Sequence, residues 1–572
     1  MLKRLIFNLI ILLFFLIIGY MIFSPIFYSN IINIDYGITP YNICLVQPDL
    51  WKYIKILFII FYILSSIIFS NLLFNLFFIK ILNKINNKNK SIKFNKLPPL
   101  NKLNLYIGKN IKNNKIYISE KGLYQNILIT GTIGSGKTTS AIYPFCNQLI
   151  NYNNNNFNNK IGMLILDVKG NLHYKIKELC ILANRKKDYI VIELGGKYKY
   201  NPLDKPNLKP SVLANRLKTI LLLFSGNNTE TYWLDKAEQL LAETIKLCRL
   251  YNNNYVTFEE IHKLISNQQY YKEKINLLRE KFLKNIFTKE ECYDLLTSIN
   301  FYEKEFLQLD SRTFSILKSE VTRITNCFIS DYNVMKTFNP TKKEANLNSL
   351  SDIIKSGKII VLNMNIAEYK NLSKIISAYL KLDFQTEVLS LLSKKNNYSH
   401  RPVCFICDEY HEFVTSTDAD FFAQSREAKC INIVATQSYT SLLNTLNNPN
   451  NVKVIVQNLI NKLWFRTDDI FTIEEAQKQI GKEDKEKISK NISENAKETK
   501  YNYFTRSLNS KNSSISESLN SYLQHDFVYD TNFFTQELET FSCLSFLSDG
   551  NKILHPEKLL LEPLFKKGAK ID

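Results

Sequence analysis

The sequence predicts an α/β fold: a mostly parallel sheet flanked by helices, interrupted by an all-helical insertion and preceded by a two-helix apolar anchor. Three observations predict it. Short apolar, β-branched runs recur beyond residue 100, each followed by turn residues and a helical stretch, the alternation that builds a parallel sheet. One interval of about 160 residues lacks such runs and shows helical spacing instead. Near the N-terminus lie two apolar stretches, each long enough for the ~20 residues that cross a bilayer.

The anchor comes first in the chain. Residues 5–23 are interrupted only by Asn8, Gly19 and Tyr20, and a second apolar run fills 54–79. Lys3 and Arg4 precede the first run; Lys80, Lys84, Lys88, Lys90, Lys93 and Lys96 follow the second with no acid among them. The connecting segment 24–53 carries only Asp35, Asp49 and Lys52 as charges. Lysine excess marks the cytoplasmic side, so both ends face the cytoplasm and the short loop lies outside. A cleaved signal peptide is the alternative, but the first run exceeds the usual apolar core of about 7–15 residues and Ser24-Pro25 is a poor cleavage site. The lysine cluster also suits contact with anionic lipid headgroups. Pro98-Pro99 ends the linker, giving an anchor over 1–97.

At 572 residues the chain is large enough for two or three domains. Its 73 basic against 53 acidic side chains leave a net charge of +20, which suits work beside nucleic acid or an anionic membrane face. Much of that excess is Lys within Asn-, Ile- and Lys-rich text, so a biased genome is the alternative source of the charge. The ten cysteines are scattered, and only Cys44 falls in the external segment, which argues against a disulfide framework. Cys404 and Cys407 sit in an apolar strand-like run, where positions three apart point to opposite faces, a poor geometry for redox or zinc chemistry. His411-Glu412 lacks the second His of a zinc helix. The one metal implied is magnesium carried by a nucleotide.

The strand-like runs are 126–130, 163–168, 189–194, 358–364, 403–407, 431–436, 462–467 and 541–547. Between the third and fourth, residues 208–335 read as an inserted all-alpha domain, with 98–207 and 336–572 forming the two parts of the sheet domain. Two polar stretches, 151–159 and 507–521, read as exposed loops.

Chemistry enters at Gly131-Thr132-Ile133-Gly134-Ser135-Gly136-Lys137-Thr138, a full G-x-x-x-x-G-K-[ST] phosphate loop between a strand-like and a helix-like segment. The glycines let backbone amides turn inward on the phosphates of ATP, and the helix that opens at Thr138-Thr139 adds its positive end. Lys137 reaches the β- and γ-phosphates and Thr138 ligates Mg2+. The run 403–407 ends in Asp408 and Glu409, expected on a strand adjacent to the loop: Asp408 to hold magnesium directly or through water, Glu409 to orient or deprotonate the attacking water. The next run ends at Gln437, placed to sense the γ-phosphate. Arg426, which precedes that run, is a candidate for neutralising charge at a neighbouring subunit's nucleotide. Asp167-Val168-Lys169-Gly170 after the second run reads as turn chemistry with a weak functional signal.

In this order the residues resemble the coupling proteins of type IV secretion and conjugation, the TraG/TraD-like ATPases. The resemblance runs from the two-helix anchor through Gly131–Ser140, Asp167-Val168-Lys169-Gly170 (where the family carries Pro in place of Val168), Asn201-Pro202-Leu203, the Trp233 helix, Asp408-Glu409, Arg426 and Ala435-Thr436-Gln437-Ser438. It implies a RecA-like ATPase that forms a ring of six at the bacterial inner membrane, with both termini and the ATPase part cytoplasmic. Such a ring hands DNA, a relaxase–DNA complex or an effector protein to the secretion channel proteins, with the all-alpha domain helping to select the cargo. Two other readings share the motifs: a docking receptor whose nucleotide sets assembly, and a membrane-anchored DNA translocase outside secretion.

Overall fold

The computed structural model describes residues 17, 19, 52, 53, 56–66, 102–167, 169–224, 231–347, 349–393, 401–495, 500–502, 507–509 and 514–565. It divides into two compact units, residues 1–96 and 97–572. In the first, residues 56–66 are helical and largely exposed. The rest of both expected anchor spans falls outside the described residues, apart from residues 17 and 19, and among the described residues no helix is long and apolar enough to cross a membrane.

The second unit is built on one eleven-stranded sheet. In chain order its strands are β1 (Leu105–Asn110), β2 (Lys115–Ile118), β3 (Ile127–Thr130), β4 (Gly162–Asp167), β5 (Tyr189–Ile192), β6 (Ile359–Asn363), β7 (Val403–Cys407), β8 (Cys430–Thr436) and β9 (Asn461–Phe465). After β9 comes a separate ribbon of β10 (Lys482–Asn495) and β13 (Ser514–Phe527), with a short pair, β11 (Lys500–Asn502) and β12 (Ser507–Asn509), between them. The chain returns to the sheet as β14 (Ser542–Phe546) and β15 (Glu557–Leu560). The sheet order is β2-β1-β15-β14-β9-β3-β8-β7-β4-β6-β5. From β9 to β5 the pairs are parallel, and from β9 outward to β2 they are antiparallel.

All eight expected runs are strands of this sheet. The seven with parallel neighbours read as largely apolar text because both faces of a parallel sheet are covered, and the eighth, β14, is antiparallel to both its neighbours. Strand alternation sorts their side chains into two cores. Ile127, Ile129, Met163, Ile165, Cys404, Ile406 and Ile433 pack with the helices Tyr143–Asn151 and Leu172–Leu182. Leu128, Leu164, Leu166, Phe405, Cys407 and Val434 join a core that continues into the helices between β5 and β6. Cys404 and Cys407 thus lie on opposite faces, both as buried thiols.

The interval between β5 and β6 is helical, including Pro210–Phe224, Thr231–Tyr251, Phe258–Ser266, Gln268–Leu283, Lys289–Asn300 and Ser311–Ile329. Its side chains, such as Leu217, Leu241 and Phe258, share one continuous core with the sheet face. Between them runs the helix Asn371–Ser393, buried on every side from Ile375 to Phe384 apart from its exposed ends, as a helix enclosed by two layers must be. One expectation is corrected: 507–521 is not a loop throughout. Residues 514–521 belong to β13, whose ladder with β10 runs from Asn495↔Ser514 to Lys482↔Phe527. A two-stranded ladder is held by backbone hydrogen bonds and needs no apolar run, so polar text conceals it.

Candidate nucleotide site

The loop after β3 is shaped by its glycines. Gly134 and Gly136 have φ of 80° and 95°, a region that a side chain makes costly. At Gly136 a Cβ would also stand 2.5 Å from the Phe541 ring. The Gly131 amide donates to the Gln437 carbonyl at 3.1 Å and the Thr132 amide to the Arg466 carbonyl at 2.9 Å, so the loop is tied to the ends of both neighbouring strands, β8 and β9. The Phe541 amide donates to the Ser135 carbonyl at 3.2 Å. Ile133 is exposed at the tip, and Thr139 donates its hydroxyl to the Gly136 carbonyl. Lys137 is buried, its ammonium donating to the carbonyls of Gly131 and Thr132. Burial lowers the proton affinity of that amine, with Asp408 and Glu409 pulling the other way.

The carboxylate strand is not the neighbour of β3 that the sequence suggested. β8 lies between β3 and β7, so Gln437 stands between the phosphate loop and the acids. The acids still reach the loop. The Thr138 hydroxyl donates to Asp408 Oδ2 at 2.9 Å, and Gln437 Nε2 donates to Glu409 Oε2 at 3.2 Å. Both carboxylates are buried. Glu409 sits in the left-handed region at φ 55°, ψ 46°, a conformation that costs a side-chain-bearing residue about 1–2 kcal/mol and turns the chain sharply at the strand end. Thr138 and Asp408 are oxygen donors of the kind magnesium takes, placed beside the glycine-shaped loop, and this donor set fits a nucleotide with its ion.

Lys169 completes the cluster, although the sequence reading assigned its turn only a weak functional signal. Its ammonium pairs with Glu409 and lies 3.6 Å from Asp408 Oδ2. Burial weakens that ammonium, but the two carboxylates outweigh burial and hold its pKa above the ordinary range. Burial likewise opposes the charge on Glu409, yet Lys169, His411 and Gln437 together hold its pKa below the usual carboxylate value. The turn that delivers Lys169 is held by Asp167, which accepts from the Gly170 and His173 amides, both at 2.9 Å. The acid-x-Lys-Gly signature was the available signal, and only strand order shows where its lysine points.

Arg426 is the one candidate not brought to this cluster. It is exposed before the start of β8, while the cluster gathers where β8 ends, about 20 Å away at ~3.3 Å per residue. Thr138, Lys137, Asp408, Glu409 and Gln437 do come together, at the carboxyl ends of β3, β7 and β8.

Solved structures share this architecture. The bacterial conjugative coupling protein TrwB in an unbound form superposes with a TM-score of 0.52 at 11% identity, over 79% of this chain and 88% of that one. The plasmid coupling protein TrwB in complex with the non-hydrolysable GTP analogue GDPNP gives 0.51 at 11% identity, over 78% and 88%. The same protein in complex with ADP and Mg2+ gives 0.50 at 11% identity, over 77% and 86%. At such identities these likenesses show the fold. No curated protein matches the chain. The sequence profile of the type IV secretion-system coupling protein DNA-binding domain matches residues 111–519, well over half of the chain. The chain therefore belongs to the type IV secretion-system coupling protein family.

Proposed function

We propose that this chain is an ATPase of a type IV secretion system that couples nucleotide hydrolysis to the delivery of DNA, a relaxase–DNA complex or an effector protein to the secretion channel. The observation that carries the reading is the convergence of Thr138, Asp408, Glu409, Gln437 and Lys169 around one phosphate loop. The loop Gly131–Thr139 would hold ATP, with Lys137 leaving the carbonyls of Gly131 and Thr132 for the β- and γ-phosphates. Thr138 and Asp408 would hold magnesium, which would supply positive charge beside the phosphate oxygens. Glu409 orients the attacking water and accepts its proton, and Gln437 relates the γ-phosphate position to Glu409 through their shared hydrogen bond. Lys169 keeps Glu409 ionised, the form that a base requires.

The wider reading follows family membership. Residues 1–97 anchor the chain in a bacterial inner membrane with the ATPase part cytoplasmic, and six copies form a ring. Arg426, too far from the site of its own chain, acts at that of the adjacent subunit. Residues 208–335 form the cargo-selecting domain, inserted between the two parts of the ATPase domain at 98–207 and 336–572.

The test is hydrolysis by the full chain in detergent. Glu409→Gln is expected to lower kcat by about 100-fold or more while nucleotide affinity stays within about threefold, and Lys137→Ala to lose nucleotide binding as well. Ordinary turnover by the Glu409→Gln protein would remove the mechanism. Undiminished cargo transfer in cells carrying Lys137→Ala would make the chain a docking receptor instead.

A further inference from the structure

Lys462 lies on β9 and is 1% exposed. Alternation along the strand puts it on the face of Trp464, beneath the helices Tyr439–Leu446, Pro449–Asn458 and Ile470–Ile480. A lysine this deep ordinarily has a carboxylate partner. Among the described residues Lys462 has none. Its ammonium touches the Ile460 carbonyl at 3.5 Å, the long limit of a hydrogen bond, and lies 5.7 Å from the centre of the Phe546 ring. Two of its three donors are left over. Burial alone lowers its pKa to about 7.

Lys462 is one wall of a cavity of about 370 Å³. Lys453, Gln457, Lys462, Lys478 and Gln479 line it, with Glu475 as the single acid. Glu475 is already met by Lys453 at 3.9 Å and Lys478 at 3.4 Å, so the lining is positive on balance. Amide and ammonium donors gathered over a desolvated cation are matched by a compact anion with several acceptor oxygens. The volume falls within the range of about 300–1,000 Å³ for ligand pockets and exceeds what a bare anion fills. Phe471, half-buried in the wall, offers an aromatic surface for a ring attached to that anion.

We propose that this cavity is a second phosphate site, which takes the phosphate of a nucleotide unit on Lys462 and its ring against Phe471. It is distinct from the phosphate loop. Lys462 is four residues before Arg466, whose carbonyl holds Thr132, or about 13 Å along the strand. Occupancy would still bear on the hydrolytic cluster. Tyr439 lines the cavity two residues after Gln437, with its amide bonded to Thr472 and its hydroxyl accepting from Trp464.

The source of the phosphate is either a free mononucleotide or the backbone of a single strand, and one experiment separates them. The full chain carries Lys137→Ala to silence the phosphate loop, and the rate at which an amine-directed reagent modifies Lys462 is read by mass spectrometry. Thymidine monophosphate at four times its dissociation constant is expected to slow modification about fivefold, with chloride at equal ionic strength inert. Slowing by a short oligothymidylate but not by the monophosphate would place the site on a nucleic-acid path. In direct binding, Lys462→Met is expected to weaken the effective probe about tenfold or more, and Lys462→Arg to retain most of the affinity. If neither probe protects Lys462, the proposal fails. Protection is read on the native lysine, so it decides the matter even if Lys462→Met does not fold.

Discussion

Two lysines are buried to almost the same depth around this sheet, and they differ in whether their ammonium finds a carboxylate. Lys381, on the helix Asn371–Ser393, is 0% exposed and spends all three donors: on Asp418 at 2.6 Å, the Phe413 carbonyl at 2.7 Å and the Thr415 hydroxyl at 3.1 Å. Asp418 in turn accepts from Gln385, the Thr415 amide and the Tyr410 hydroxyl. Every one of these partners except Gln385 lies in the segment that immediately follows Glu409. Lys462 has one long carbonyl contact and a cavity. A closed network fixes a chain path, here the path that holds Glu409 in its left-handed turn; an open one leaves a charge seeking a ligand. Two residues beyond Lys381, Asp383 pairs with Lys205 at 2.9 Å and accepts from Arg216 at 2.8 Å, so the same helix is gripped on its other side, by Arg216 of the helix Pro210–Phe224 in the helical insertion and by Lys205 just before it.

The largest expected effect comes from breaking the closed network. Lys381→Met leaves Asp418 buried and charged without its cation, at a cost of about 3–5 kcal/mol. Urea unfolding of the full chain measures it. Adding Asp418→Leu removes the orphaned charge, and the double variant is expected to recover most of that loss. If the double variant stays as unstable as the single one, the pair does not act as a unit and the contrast with Lys462 fails.

The opposite sign is expected at the open site. Lys462→Met removes a desolvated cation and keeps the apolar stem, which is expected to stabilise the fold by about 1–3 kcal/mol at pH 7. The pH dependence sharpens the comparison. The folded pKa of Lys462, about 7, is depressed below the unfolded value of about 10.4. Between those values the unfolded chain holds a proton that the native chain lacks, so this group adds stability as pH rises from about 7 and adds no slope below it. Its share is at most about 1.4 kcal/mol per pH unit. Unfolding followed from pH 7 to 9 should show that slope in the wild-type chain and lose it in Lys462→Met.

What could be read from the sequence divides along the same line, between continuous apolar signals and arrangements that only folding creates. The parallel strands were legible because burial on both faces makes text such as Met163-Leu164-Ile165-Leu166 almost purely apolar. β1, β2 and β15, at the antiparallel edge, were not: each mixes lysine or other polar residues with apolar ones, as in Lys115-Ile116-Tyr117-Ile118. β10 is still less legible, its charged text Lys482–Lys490 carrying only Ile488 as an apolar residue. At the site, Lys137, Thr138, Asp408, Glu409 and Gln437 stood out because local motifs specify them. Lys169 and the Lys381–Asp418 pair did not, because strand order and a helix crossing bring together groups far apart in the chain. Phe541 was legible as the start of a strand-like run, but nothing local placed its ring against Gly136.

Within the closed network, a smaller loss than that of Lys381→Met tests how far it tolerates the removal of one member. Tyr410→Phe removes the hydroxyl that Asp418 accepts and leaves the ring in its pocket, 6.0 Å from the centre of the Phe422 ring. Asp418 keeps Lys381, Gln385 and the Thr415 amide, so no charge is orphaned. The loss should therefore be that of one hydrogen bond to a charged group, about 1.5–3 kcal/mol, below the cost of Lys381→Met. With the lysine still holding the Phe413 carbonyl and the Thr415 hydroxyl, the turn at Glu409 keeps its path, and kcat should fall by less than about tenfold, well short of the Glu409→Gln loss. A Tyr410→Phe protein as inactive as Glu409→Gln, yet folded and binding nucleotide, would move the hydroxyl from supporting the turn to taking part in the chemistry. The closed network would then owe its completeness to hydrolysis itself.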